Sequence, residues 1–335
     1  MLETISKQVT LAHPIKTKKS PEPRKKFLTR GRRKKPPLSI VMLTLGVIII
    51  SIYIMKMFIP PQMKVQAAVL INADTGNVLY SYNADQALPP ASMSKMMTEL
   101  LVLEAVASKQ HTWDENVTIS RYAAEVPGSQ IGMNEGEHYS LKQLFDSLII
   151  HSANDAAVAI AEHISGSETE FVQLMNAKAK NIGLSAKTVY ANASGLTSGD
   201  LLEFPEAASF SDTMMTARDA AKLTRWLLQN YPDVLKVSSQ KNISIPQRQI
   251  SYHTTNLMLP GETHAYRGND GFKTGYTYEA GYCFTGTAER GGSRLISVVM
   301  GASDSDERFT ETRKLMDYGF RRHSELWDTL TSFLG

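Results

Sequence analysis

The chain has 335 residues, 42% of them apolar and 21% charged, enough to bury one large core or two modest ones. Its net charge of +3 hides a split: residues 1–37 hold 12 Lys and Arg against 2 acids, whereas the rest carries 24 basic and 31 acidic side chains. The basic balance therefore belongs to the tail, which argues against a nucleic-acid surface on the body, and the single cysteine, Cys283, excludes an intrachain disulfide.

Residues 1–37 are polar, basic and proline-spotted, with no apolar period, and are predicted to be a disordered tail. From Leu38 to Met55, 18 apolar or small residues run without a charge, the lower end of a bilayer span. Lys56 can snorkel to the interface, and Met57-Phe58-Ile59 extends the apolar reach. Residues 38–59 are thus expected to be a transmembrane signal anchor. The positive-inside rule puts 1–37 in the cytoplasm and 60–335 outside the cell membrane. A cleaved signal peptide is the rival. Its apolar core would be shorter, about 7–15 residues, and the one passable cleavage site, Val65-Gln66-Ala67, runs into the first strand.

The body opens with two β-rich runs, Gln66 to Ile71 and Asn77 to Tyr82, around the turn signal Asp74-Thr75-Gly76. Pro89 and Pro90 end any earlier element, and an apolar helix follows Ser92-Met93-Ser94-Lys95, buried nearly all the way round. Leu141, Leu144, Phe145, Leu148 and Ile149 mark an amphipathic helix that stops at the polar loop His151-Ser152-Ala153-Asn154. Helices are predicted over 168–180 and 216–228, the latter with Thr216 as N-cap and Asp219 at its third position. Residues 194–212, rich in Gly, Ser and Pro, are expected as surface loop. Short strands at 271–276, 281–288 and 294–300 precede a last helix at 306–320. Strands at both ends with helices between them predict an α+β fold. One antiparallel sheet is built from the two chain ends, flanked by helices, with a mostly helical lobe inserted.

Three short motifs stand in order: Ser92-x-x-Lys95, Ser152-Ala153-Asn154 and Lys273-Thr274-Gly275, separated by 60 and 121 residues. A serine hydroxyl needs a base within reach, and a lysine serves only if its pKa falls, as burial against an apolar helix makes it do. Ser92 is the candidate nucleophile and Lys95 its base. Ser152 can pass a proton to a leaving nitrogen, helped by Lys273, and Asn154 can fix a substrate amide. Lys273 on an edge strand supplies positive charge toward a substrate carboxylate, and Gly275 lets the strand run close to a substrate. The backbone N–H groups of Ser92 and Tyr276 are candidates for an oxyanion hole.

This motif set is the one shared by penicillin-binding proteins and serine β-lactamases. Over residues 66–322 the chain resembles the low-molecular-mass penicillin-binding proteins that are D-alanyl-D-alanine carboxypeptidases. The resemblance rests on Pro90-Ala91-Ser92-Met93-Ser94-Lys95-Met96-Met97-Thr98, Asn192-Ala193-Ser194-Gly195-Leu196, Thr216-Ala217-Arg218-Asp219 and Asp270-Gly271-Phe272-Lys273-Thr274-Gly275-Tyr276-Thr277. It implies a serine peptidase that removes the terminal D-Ala from peptidoglycan stem pentapeptides through a Ser92 acyl-enzyme, with β-lactam antibiotics as inhibitors. It implies Asn154, Lys273, Thr274, Gly275 and Tyr276 as substrate-binding residues, and Arg308 as the holder of a substrate carboxylate. Familiar members carry a small C-terminal β domain. Here residues 60–335 are expected to hold the catalytic domain alone. The alternatives are a DD-endopeptidase or transpeptidase, a β-lactamase, or a non-catalytic penicillin-binding protein. A class A β-lactamase would need Glu-x-x-Leu-Asn, and the text after Glu170 breaks that pattern. No cofactor and no metal are expected: His253 and His264 lack ligand spacing, and His151 suits a packing or hydrogen-bonding role. Met93, Met96 and Met97 suit core, as does Cys283 on a strand.

Overall fold

A computed structural model of the protein describes residues 36–322. The tail expected over 1–37 lies almost wholly outside them. The chain divides into two units, one ending at Ile52 and the other beginning at Tyr53. Of the first, a helix α1 (Leu38–Phe58) starts immediately after Pro36-Pro37. Its large side chains from Leu38 to Ile52 are exposed, because a helix apolar on every side has no single face to offer a core. Among the described residues no helix is long and apolar enough to cross a membrane, and the last six side chains of α1 are outside that description. The bilayer span over 38–59 therefore rests on the sequence.

The second unit begins with the expected hairpin, β1 (Ala67–Asn72) and β2 (Val78–Tyr82). Asn72 makes its turn: Oδ1 accepts from the N–H groups of Asp74 at 3.0 Å and Thr75 at 2.8 Å. A short β3 (Ala87–Leu88) leads to a 3-10 turn, Ala91–Ser94, and straight into α2 (Lys95–Ala107). The helical lobe follows as β4 (Asn116–Thr118), α3 (Arg121–Glu125), β5 (His138–Ser140), α4 (Leu141–Ile150), α5 (Asn154–Ser165) and α6 (Glu168–Asn181). Then come β6 (Met215–Thr216), α7 (Ala217–Asn230), α8 (Val234–Ser238) and a hairpin β7 (Asn242–Ile245) and β8 (Ile250–His253). The chain returns to the main sheet with β9 (Asn269–Thr277), β10 (Gly281–Arg290) and β11 (Ser293–Ala302), and α9 (Ser305–Arg322) closes it.

The main sheet has the order β2-β1-β11-β10-β9, antiparallel throughout, so the first strand pairs with the last: Val69 lies opposite Val298. This is the sheet expected from the two chain ends. Period-2 alternation divides its residues between two cores. Ala67, Val69, Ile71, Ile296, Val298 and Met300 face the larger core with α2 and α7. Ala68, Leu70, Phe284, Leu295 and Val299 face α9 through Phe309, Leu315 and Met316. Cys283 is fully buried on β10, and burial pushes its thiol up to about 11. Helix α2 is buried over Lys95–Val102, Met96 and Met97 included, each buried Leu or Met contributing roughly 1.5–3 kcal/mol.

Thr216 caps α7 as expected, accepting from the N–H of Asp219 at the third position. The Asp219 carboxylate accepts from Ser185 and Thr188, tying α7 to the turn after α6. One local expectation is corrected. Residues 194–212 are not surface loop from the start: Ser194 and Gly195 are buried, and exposure begins beyond them. Asn192 folds that segment, its Oδ1 accepting from the N–H groups of Ser194 at 3.2 Å and Gly195 at 2.6 Å.

Candidate active site

The 3-10 turn presents Ser92 at the seam between sheet and helical lobe. Ala91, just before it, holds φ +48°, and Ser152 holds φ +64°. A left-handed conformation costs a non-glycine residue on the order of 1–3 kcal/mol, so packing on both sides must hold these two turns. Two glycines let backbone close in. A Cβ at Gly195, φ +81°, would sit 2.1 Å from Ala91 O, and one at Gly275 would sit 2.5 Å from Pro90 O. Thus β9 and the 192–196 turn both press against the segment that carries Ser92.

Lys95 is fully buried on the first turn of α2. Its Nζ lies 2.9 Å from Ser92 Oγ, 2.6 Å from Asn154 Oδ1 and 2.6 Å from Ser194 O. Burial first, and then the charge of Lys273, hold its pKa well below the usual lysine value, with Asp155 and Glu99 pulling the other way. A neutral amine has two N–H groups and one lone pair. The amide and carbonyl oxygens take the two N–H groups, and the lone pair is left facing the Ser92 hydroxyl. The geometry is that of a base aimed at its proton.

Asn154 does more than the sequence suggested. It is the first residue of α5, not a loop residue, and its amide is engaged at both ends: Oδ1 accepts from Lys95, and Nδ2 donates to Pro127 O at 2.7 Å. Its neighbour Asp155 is buried, with Oδ2 accepting from the N–H groups of Ile131 and Gly132 at 3.0 Å each, which fixes the loop along the cleft wall.

Across the cleft, Lys273 on β9 donates to Ser152 Oγ at 2.6 Å. Only 1% of Lys273 is exposed, so it does not face a ligand carboxylate directly, and its charge acts through Ser152. Burial brings its pKa down to about 8; Glu99 opposes this and Arg308 adds to it. Glu99, on α2 one turn beyond Lys95, is buried with neither carboxylate oxygen hydrogen-bonded. Burial pushes it up to about 8 against the pull of Lys273 and Lys95, so its titration is tied to that of Lys273.

The directly accessible cation is Arg308 near the start of α9. Its Nη1 makes one long contact, 3.4 Å to Gly275 O, and its buried Nε has no hydrogen-bond partner. It borders a cleft of about 340 Å³ together with Ser92, Ser152, Asn154 and Thr274–Thr277. Thr274 Oγ1 donates to Thr255 Oγ1 at 2.7 Å, and Tyr276 is half-exposed and stacked on Tyr282. A larger cavity, about 510 Å³, lies between α2 and α6, away from these side chains.

Every sequence-predicted site residue is thus at or immediately behind one cleft. Thr255, Asp155 and Glu99 were not singled out, and Ser194 stood only within the segment 192–196, without a role. Ser194 and Thr255 each act through a contact with a distant segment, which a local pattern does not report. His151 packs on Tyr252, with its Nδ1 3.2 Å from His253 O. Glu170 is exposed on α6, capped by Ser167, and among the described residues bordering the cleft there is no carboxylate.

A sheet built from both chain ends, a Ser–Lys pair at the head of a buried helix and a Ser–Lys pair across the cleft define a protein of the penicillin-binding class. More narrowly, the chain belongs to the D-alanyl-D-alanine carboxypeptidase family, whose model matches residues 55–304. D-alanyl-D-alanine carboxypeptidase DacF of Bacillus subtilis is 39% identical over 261 residues, covering 78% of this chain and 63% of its own length. DacC of Escherichia coli is 33% identical over 272 residues, covering 78% of this chain and 62% of its own length. The chain therefore spans a little under two thirds of the length of these relatives. Among solved structures, penicillin-binding protein D2 of Listeria monocytogenes in its ampicillin-bound form is 35% identical with a TM-score of 0.66, covering 78% of this chain and 99% of that one. PBP3 of Streptococcus pneumoniae is 33% identical with a TM-score of 0.73, covering 77% and 74%.

Proposed function

We propose that the protein is a serine-type D-Ala-D-Ala carboxypeptidase acting on peptidoglycan stem pentapeptides. The observation that carries this is Lys95 Nζ, buried and 2.9 Å from Ser92 Oγ with its two N–H groups already taken. Lys95 removes the Ser92 proton as Oγ attacks the carbonyl of the penultimate D-Ala. The oxyanion is held by the N–H groups of Ser92 and Tyr276. Arg308 receives the terminal carboxylate, together with the Thr274 hydroxyl once its proton turns from Thr255 Oγ1 to the ligand. Ser152, polarised by Lys273, protonates the leaving nitrogen of D-Ala and takes up the proton that Lys95 received from Ser92, so Lys95 returns to neutral and Lys273 stays charged. Water then attacks the acyl-enzyme, Lys95 again taking the proton.

A β-lactam offers the same amide to Ser92. The carboxylate that would speed deacylation in a class A β-lactamase has no counterpart among the described residues bordering the cleft, which supports a long-lived penicilloyl adduct. Labelled penicillin should bind covalently to the wild type and not to Ser92→Ala. Peptide mapping that put the label on Ser94 or Ser152 would overturn the assignment.

The anchor belongs to the same proposal. Residues 38–59 are read as a single span with the basic tail in the cytoplasm and the catalytic domain outside, on the apolar helix α1 and the 12 basic residues before it. Protease added to intact cells should remove the body and spare the tail. A mature N-terminus near residue 60 or 68 would refute it.

A further inference from the structure

We propose that His111, Glu115 and His163 form a binding site for one divalent transition-metal ion of the zinc type, which clips the far ends of α2 and α5 together. The site was invisible in the sequence, where no metal was expected, because Glu115 and His163 stand 48 positions apart. In the fold the three donor atoms lie within 4.8 Å of one another. His111 Nδ1 is 2.7 Å and His163 Nε2 is 3.0 Å from the same oxygen, Glu115 Oε1. The rings lean together, centroids 5.2 Å apart. The side chains are about a quarter exposed or less, 19%, 26% and 24% for His111, Glu115 and His163, so an ion has an entry path and room for water as a further ligand.

Two imidazoles and one carboxylate with open positions suit zinc, cobalt or nickel, whereas calcium and magnesium prefer oxygen donors. With bonds of about 2.0–2.1 Å, ligand atoms on a tetrahedral ion stand roughly 3.3 Å apart. The present N···O distances, 2.7 and 3.0 Å, are hydrogen bonds that need to open by only a few tenths of an ångström, while the two ring nitrogens, within 4.8 Å of each other, close onto the ion. A ring that ligates through the nitrogen now facing Glu115 carries its proton on the other nitrogen.

The supports of the three ligands are fixed. The His111 N–H bonds Ala105 O at the end of α2, and Glu115 O accepts from the Leu141 N–H at the head of α4. His163 is in the last turn of α5. Helix α2 begins with Lys95 and α5 with Asn154, so the ion would tie down the distal ends of both helices that deliver the Lys95–Asn154 contact, about 20 Å from it along α2. Its role would be structural, and penicillin acylation of Ser92 should not need it.

The test uses the purified full chain without a histidine tag, stripped with chelator, then titrated with Zn²⁺ by calorimetry and with Co²⁺ by visible absorption. One equivalent should bind, with the d–d bands of a four- or five-coordinate ion, and Zn²⁺ should raise Tm. His111→Ala, His163→Ala and Glu115→Gln should each weaken binding at least about tenfold, since even outer-shell changes cost 10–100-fold, and should lose the Zn²⁺-dependent rise in Tm. Glu115→Gln keeps the shape and a hydrogen-bond acceptor, so it reports on ligation even if a histidine variant folds poorly. Absence of stoichiometric binding, or binding that survives in all three variants, would overturn the proposal.

Discussion

Arg308→Ala and Lys273→Ala should fail in different ways, because only one of the two cations borders the cleft. The Arg308 guanidinium makes one long hydrogen bond, 3.4 Å to Gly275 O, and lies over the rings of Tyr282 and Phe309, so its Nη groups retain donors for a carboxylate. Hydrogen bonds to charged groups are worth about 1.5–3 kcal/mol, and about 1.36 kcal/mol is tenfold in rate. Arg308→Ala should therefore lower kcat/KM roughly 10- to 150-fold for a peptide ending in free D-Ala carboxylate. It should change the rate on the corresponding amide or ester much less. Lys273 is buried and donates to Ser152 Oγ at 2.6 Å. Lys273→Ala removes the group that polarises the proton donor, a general acid–base effect of about 10²–10⁴-fold, and should cost both substrates alike. Acylation rates of the two variants, measured by rapid quench on the paired substrates, separate the roles. Equal loss on both substrates for Arg308→Ala, or carboxylate-selective loss for Lys273→Ala, would refute this division.

The pH profile follows from the same groups. Acylation needs Lys95 neutral, hence pH above its lowered pKa, and Lys273 charged, hence pH below about 8. The falling limb of kcat/KM should thus lie near 8, and Arg308→Ala should move it upward, because Arg308 holds the Lys273 pKa down; a profile flat to about pH 10, the usual lysine pKa, would show that Lys273 is not perturbed. Gly195→Ala would put a Cβ 2.1 Å from Ala91 O at φ +81°. The left-handed conformation costs roughly 1–2 kcal/mol and overpacking about 1–3 more, so Tm should fall by several degrees and labelling of Ser92 should slow. An unchanged Tm with full labelling would mean that the 192–196 turn does not hold the nucleophile in place.

The frame was legible where local patterns report on tertiary structure. The β1–β2 hairpin showed in Asp74-Thr75-Gly76, α4 in its 3.6-residue apolar period, and β9–β11 in short strand-like runs separated by glycine turns. The Ser92, Ser152 and Lys273 motifs were legible because each is compact. What escaped was long-range. The Ser194 carbonyl accepts from Lys95 across 99 positions, a contact that the segment 192–196 marks out but does not reveal. Lys273 was expected both to help Ser152 and to face a carboxylate; its hydrogen bond to Ser152 is present, but its burial, made by the 3-10 turn packed against β9, cannot be read from an edge strand. Glu99 is one polar position on a buried helix, and only the fold reveals an acid with no donor beside two lysines.

The most direct test of the proposed activity is release of free D-Ala from a stem pentapeptide by the purified full chain. One equivalent of D-Ala per peptide, leaving the tetrapeptide and no cross-linked product, is expected from the wild type, and none from Ser92→Ala. A wild-type preparation that is fully labelled by penicillin yet releases no D-Ala, or that transfers the acyl group to another peptide instead of water, would contradict it.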